Sequence, residues 1–302
     1  MSHLATLTKT RVRLALRNKM FFFFSVVMPL GFFLLYCGIF AKGVPQSVKF
    51  FLGPVLALNV MGSFWGLSAT LVMFREQGIL RRFHVTPVTA SDMLASSVLA
   101  NFSLTLPVVF VELFCARFVF HVPNLGNLLT TFLLVGIGTV SFGAMGLVVA
   151  SVTNTMQETQ VLNQLLWLPM LFLSGATLPI AYLSTYVQHF ALFLPATYMV
   201  SALQNGIYFG AQIWQLPVQL FSLIAWGVLS FFVAVQLFRW EPETKIPRNA
   251  KVLAAATVIP FLLLGVYEQR NSKILSDARL AYESLDRGDS SKTSSHQGER
   301  KP

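Results

Sequence analysis

Charge is what this sequence has least of. Asp, Glu, Lys and Arg make up 11% of its 302 residues, where a soluble domain carries about 25%. That is too little polar surface to wet a globule of this size, so an ordinary water-soluble fold is excluded. Cysteine is scarce as well. Cys37 and Cys115 both lie inside apolar runs, and no CxxC or Cys/His cluster occurs, so neither a zinc site nor a disulfide framework is indicated. Both read as small buried hydrophobes. The five histidines are scattered, none with a metal-spaced partner. No G-x-S-x-G and no Gly–Lys dipeptide occurs, which removes the nucleophile elbow and the phosphate-cradling P-loop. Any ATP-driven step would therefore belong to another chain.

What is present is apolar and comes in blocks. Hydrophobic residues are 55% of the chain, in runs of about 20, the length a bilayer core of about 30 Å asks of a helix. Residues 1–19 carry Lys9, Arg11, Arg13, Arg17 and Lys19 and no acid, interleaved with Leu4, Leu7, Val12, Leu14 and Leu16. This reads as an amphipathic helix on an anionic membrane face. Six spans follow, over 20–40, 51–73, 94–119, 128–150, 161–175 and 217–238. The first is too long for a signal-peptide core and no A-x-A site follows it. Gly62 and Gly66 in the second span, and Gly136, Gly138, Gly143 and Gly146 in the fourth, suit close helix approach. Residues 176–216 hold no charged side chain yet are broken by Pro179 and Pro195. Irregular backbone at membrane depth must be buried in protein or line a cavity, which points to short re-entrant helices on the outer side.

The basic residues fix an orientation. With the N-terminus inside, the inner segments hold five, three, none and four Lys or Arg, and the outer ones two, none and none. That asymmetry follows the positive-inside rule and puts the N-terminus in the cytoplasm. It also explains the net charge of +10 without nucleic acid. Residues 252–267 form a seventh apolar run, but sixteen residues reach only about 24 Å and Pro260 interrupts them, so its crossing stays open. The chain thus divides into an amphipathic helix (1–19), a six-span domain (20–240), an extension with a short apolar segment (241–270) and a polar tail (271–302), read as a helical stub followed by disorder. The fold class is an all-α polytopic membrane protein.

Two groups of charges need a role. FREQGILRRFHVTP, residues 74–87, sits between two spans on the inner side. Ile79, Leu80 and Phe83 on one flank, and Arg81 and Arg82 on another, make a short amphipathic helix. Thr86–Pro87 breaks it, and Ser91–Asp92 can cap the next helix. An ordinary orienting loop would look similar; a knob anchored at both ends by spans can also transmit force to a partner. Within the spans only Glu112 and Arg117 are charged. Five positions apart, they do not face each other. Interfacial snorkelling or a structural partner is the leading expectation, with a substrate-facing Glu112 as the alternative.

Glu76-x-Gly78 followed by Arg81–Arg82 and Thr86–Pro87 resembles the inner-loop motif of type-2 ATP-binding-cassette (ABC-2) exporter permeases. The basic N-terminal helix looks like their connecting helix, and SVTNTMQETQ (151–160) is similar to their second inner loop. Residues 166–210, with Pro169, Gly175, Pro179 and Pro195, look like their broken fifth span and outer re-entrant region. The likeness covers about residues 1–240; the extension and tail depart from it. It implies a permease subunit, not itself an enzyme, that pairs with a second permease chain in a bacterial-type inner membrane. ATP and Mg would be bound by a separate cytoplasmic ATPase subunit. Arg75, Glu76, Gly78, Arg81, Arg82, Phe83 and Pro87 would form the ATPase-coupling knob, with charge-assisted contacts and Gly78 permitting close approach. The path between two chains would be lined by the second and fifth spans, with Asn59, Phe64, Trp65, Asn163, Gln164 and Trp167 as candidates. So few charges suit amphipathic or apolar cargo: a drug, an antibiotic or a lipid. The alternatives are an ion-coupled secondary transporter and a polysaccharide exporter of the same mechanism. A membrane-embedded enzyme lacks any clustered nucleophile, base or metal set.

Overall fold

The structure, a computed structural model, describes residues 2–17, 19, 23–40, 44–84, 86–241 and 249–284. Every regular element among them is helical. Helix α1 (Ser2–Arg17) comes first. The described part of the first span is a π-turn (Phe23–Val27), α2 (Met28–Leu35) and a second π-turn (Tyr36–Phe40). Pro29, in the first turn of α2, has no N–H to give to the preceding turn, which is where the helical register changes. Then come α3 (Pro45–Glu76), α4 (Ile79–His84), α5 (Ala90–Phe118), α6 (Leu128–Val152) and α7 (Met156–Leu173). Beyond them lie α8 (Thr185–Ala191), α9 (Pro195–Gln204), α10 (Pro217–Gln236), α11 (Ala250–Ala256) and α12 (Ile259–Asn271). Residues 273–284 form the last described helix, α13.

Five described helical segments are long and apolar enough to cross a bilayer: α3, α5, α6, α10 and the stretch Ala250–Asn271. Two expectations change. The fifth span, α7, is not among them, because its first half is polar (Gln157, Glu158, Gln160, Asn163, Gln164). The seventh run, expected to be short, is. Pro260 sits in the first turn of α12, where no N–H is needed, so it starts a helix rather than breaking one. Together α11 and α12 reach about 33 Å. Ala250 packs in the same cluster as Leu80, Met93 and Ala150, while Ile274 and Leu275 pack with Ile180 and Ala191. The segment therefore runs the length of the bundle, from the end carrying α4 to the opposite end. The part of the tail that was expected to be a helical stub is α13, and it is packed on the bundle; residues 285–302 lie outside the described residues.

The core forms around α3 and α6, which pack most extensively on each other, with α10 against the far side of α6. Close approach is made by Gly146, one of the glycines expected to serve it, and not by Gly62 or Gly66. A Cβ at Gly146 would fall on the backbone carbonyl of Phe64, whereas one at Gly62 or Gly66 would meet open space. Helix α3 has 32 residues, about 48 Å, so it outruns the hydrocarbon core and carries its last turn, Arg75–Glu76, beyond it. The interrupted region expected at 176–216 is a short 3₁₀ turn (Ile180–Tyr182), α8, α9 and a π-turn (Asn205–Phe209). Helix α9 is buried from Pro195 to Leu203. Its Thr197 and Tyr198 hydroxyls donate to the carbonyls of Ala191 (2.6 Å) and Leu192 (2.9 Å), satisfying the end of α8 where water cannot.

Candidate coupling and transport site

Helix α4 is the short amphipathic helix the sequence promised between the two spans. Gly78, at φ +67, takes the left-handed conformation that reverses the chain after α3. A Cβ there would touch nothing, so its role is backbone conformation rather than the close approach expected. Leu80 is fully buried and Phe83 packs beside it. Arg82 is exposed, and Arg81 is 72% exposed with its Nε 3.5 Å from Glu241. Pro87 is exposed in the following turn. The next helix is capped by Thr89 rather than by Ser91: the Thr89 hydroxyl accepts from the Asp92 amide (3.2 Å), and the Asp92 carboxylate accepts from the Thr89 amide and hydroxyl.

Arg75, expected to meet a partner, turns inward, while Glu76 stays at the surface. Arg75 is 1% exposed. Its guanidinium donates to the carbonyls of Ala150 (3.0 Å) and Thr153 at the C-terminus of α6. Arg239, also buried, donates to the same Thr153 carbonyl (2.7 Å) and to Asn154 Oδ1 (3.0 Å). Burial lowers the pKa of Arg239, and the nearby Glu158 opposes that. Glu76 remains exposed to solvent, but its Oε1 accepts from the Met156 amide (2.8 Å) at the start of α7. Cations thus sit at a helix C-terminus and an anion at a helix N-terminus, as the backbone dipoles favour. The end of α3 is thereby tied to the turn joining α6 and α7. Acceptors at one helix end and donors at the next were the missed signal: an adjacent Arg–Glu pair fits such a turn.

Helix α1 lies against the start of α5 at this same end. Arg11 stands 5.4 Å over the Phe74 ring, and its Nη2 lies 3.1 Å from Met93 Sδ. Burial pulls its pKa down to about 10. Leu14 and Leu16 are exposed, beside the exposed Arg13 and Arg17.

At membrane depth, α3 and α7 do meet. Trp65 and Trp167 pack edge to face at 6.2 Å, and Phe64 lies 5.9 Å from Trp167. One turn along, Ser68 and the buried Asn163 exchange hydrogen bonds of 2.8 and 3.1 Å. Gln164 is exposed on the face of α7 that also carries Val161 and Leu165. Asn59 falls outside this group. It faces α5, its Nδ2 3.4 Å from Glu112 Oε2. Glu112 is 0% exposed with Oε1 unpartnered, so it does not snorkel. Arg117 does: it reaches back to the carbonyls of Val122 (2.8 Å) and Pro123 (2.7 Å) in the loop after α5.

An amphipathic N-terminal helix, a short helix held between two long apolar ones and an interrupted fifth helix define an all-α polytopic membrane protein. Residues 2–208 match the model of the ABC-2 type transporter family, and the chain belongs to that family. It is 26% identical over 182 residues to the "Probable multidrug ABC transporter permease YbhS" of Escherichia coli K12, covering 59% of this chain and 48% of that one. It is 26% identical over 186 residues to the inner membrane transport permease YhhJ of the same organism, covering 61% and 48%. It is 24% identical over 182 residues to the linearmycin resistance permease protein LnrN of Bacillus subtilis, covering 60% and 47%. The chain spans about half the length of these relatives.

Proposed function

We propose that the chain is the permease subunit of an ATP-driven exporter in the inner membrane, with the α4 end in the cytoplasm. Two permease chains, identical or homologous, enclose the path, and a separate ATPase subunit supplies ATP and Mg chemistry. The observation that carries this is the knob: Leu80 is buried while Arg82 and the weakly paired Arg81 stand in solvent. The knob cannot shift without α7, because Arg75 and Glu76 tie α3 to the α6–α7 turn. ATPase closure would then act as a differential affinity for two states of the permease. The uncovered stripe of α3 (Gly62, Gly66, Thr70) and the exposed face of α7 offer a surface to the second chain. The names of two relatives, one multidrug and one for linearmycin resistance, support amphipathic or apolar cargo, as does the aromatic lining of Trp65 and Trp167.

The test is co-purification with the ATPase encoded nearest to this chain. Arg82→Glu should weaken capture at least tenfold while leaving the permease folded; equal capture overturns the reading. Buried Glu112 favours one rival, an ion-coupled carrier. In that case Glu112→Gln abolishes transport and ATP depletion does not; the exporter reading expects the reverse.

A further inference from the structure

Residues 250–284 lie beyond the family match and have no part in the reading above. Helix α12 delivers α13 to the end of the bundle opposite the knob, through a turn at Ser272 (φ 52). There α13 covers a cleft walled by the start of α3, the 174–180 loop and the end of α9. We propose that this cleft is a binding site, that α13 is its built-in ligand, and that its other ligand is a neutral amphipathic molecule which must displace α13.

The contacts are those of a docked ligand rather than a loose appendage. Ile274, Asp277 and Ala278, spaced i, i+3, i+4 along one helical face, enter the cleft. Asn205 lies close enough to the Asp277 carboxylate to favour its charged form. Arg279 Nη2 donates to Gln188 Oε1 (3.1 Å), Tyr182 OH donates to Tyr282 OH (2.6 Å), and Tyr208 OH pairs with Ser284 Oγ (2.8 Å). These three bonds, beside the cleft, go to the 180–182 turn, to α8 and to the 205–209 turn. Leu275 and Ala281 are buried.

With α13 in place the remaining cavity is about 30 Å³, room for one or two waters. A small-molecule site needs at least about 300 Å³. The walls supplied by the rest of the chain are aromatic (Phe50, Phe51, Phe209) and neutral polar (Ser174, Ser201, Gln204); Asp277 of α13 is the one ionisable group among the lining residues. An uncharged molecule with an apolar body and hydrogen-bonding groups matches what α13 would leave behind. That this molecule is exported cargo rests on the function proposed above.

The test uses the full chain, purified in detergent, and the neutral amphipathic dye Nile Red. Ala281→Arg drives α13 off its fully buried seat without altering the cleft walls, and deletion of residues 272–302 serves as a second way to remove it. Both should bind the dye at least fivefold more tightly than the unmodified chain. A Tyr182→Cys/Tyr282→Cys pair, made with Cys37→Ala and Cys115→Ala and bridged by a reducible thiol-reactive spacer, should lose dye binding and regain it on reduction. Failure of the pair to bridge, or equal dye affinity with α13 present, displaced and deleted, overturns the proposal. If the dye binds as described but vesicles holding this chain and its ATPase do not export it, the cleft stands and the exporter reading fails.

Discussion

The two ends of the bundle are held by different chemistry. At the knob end, the buried Arg75 and Arg239 converge on the carbonyl of Thr153, and the exposed Glu76 meets the amide of Met156, so charged side chains stitch helix termini together. At the opposite end α13 is held by tyrosine hydroxyls, amides and a serine, with Arg279–Gln188 on a half-buried edge. Hydrogen bonds to charged groups contribute about 1.5–3 kcal/mol each and neutral ones about 1. The first end is therefore built to move as one piece, and the second to let one piece go.

The largest expected effect lies between the ends. Gly146→Val would drive a side chain into the backbone of Phe64, a clash that flexible side chains cannot relieve. It should cost about 3 kcal/mol or more, seen as loss of the monodisperse peak in size-exclusion chromatography. Next, Arg75→Met leaves the Ala150 carbonyl without its guanidinium and should cost about 3 kcal/mol, against about 1 kcal/mol for Tyr282→Phe. Thermal unfolding in detergent checks this ranking; equal losses would erase the contrast between the ends. Arg82→Glu should reduce stimulation of the partner ATPase at least tenfold without shifting the unfolding temperature. Arg81→Ala should stay within about 0.5 kcal/mol of the parent, since its pair with Glu241 is solvent-exposed.

The smallest effect is a pH dependence of α13. Burial raises the pKa of Asp277, opposed by Lys273 on the same helix and by the nearby Asn205. Docked α13 therefore takes up a proton more readily than free α13. Its docking is strongest below the ordinary carboxylate range and weakens as pH rises through the raised value. Protease nicking of α13 should increase as pH rises from the ordinary carboxylate range through the raised value, and Asp277→Asn should flatten the curve.

Much of this was readable along the chain. Apolar blocks and basic flanks marked the crossing helices, and the alternation of Leu80 with Arg81–Arg82 marked the knob, because each depends only on local periodicity. The site was half readable. Trp65 meets Trp167, and Asn163 meets Ser68, on the two helices that the family resemblance had paired, while Asn59 went to Glu112 on another helix. Arg75 and Glu76 look like neighbours of Arg81 and Arg82 in sequence; only a three-dimensional turn, 153–155, explains why Arg75 is buried and Glu76 reaches the Met156 amide. Gly62, Gly66 and Gly146 were all read as close-packing glycines, yet of these three only Gly146 meets a backbone, because approach is decided by which face meets a partner.

Composition alone made this a membrane protein, since 11% charge cannot clothe a soluble body and a bilayer demands helices whose backbones satisfy themselves. Local patterning also placed its helices and its knob. The fate of individual polar groups was a tertiary matter. Whether an arginine caps a helix or meets solvent, and whether a sixteen-residue apolar run crosses the bundle, depends on which acceptors and surfaces other segments bring within about 3 Å. That information is distributed over residues as far apart as 75 and 239.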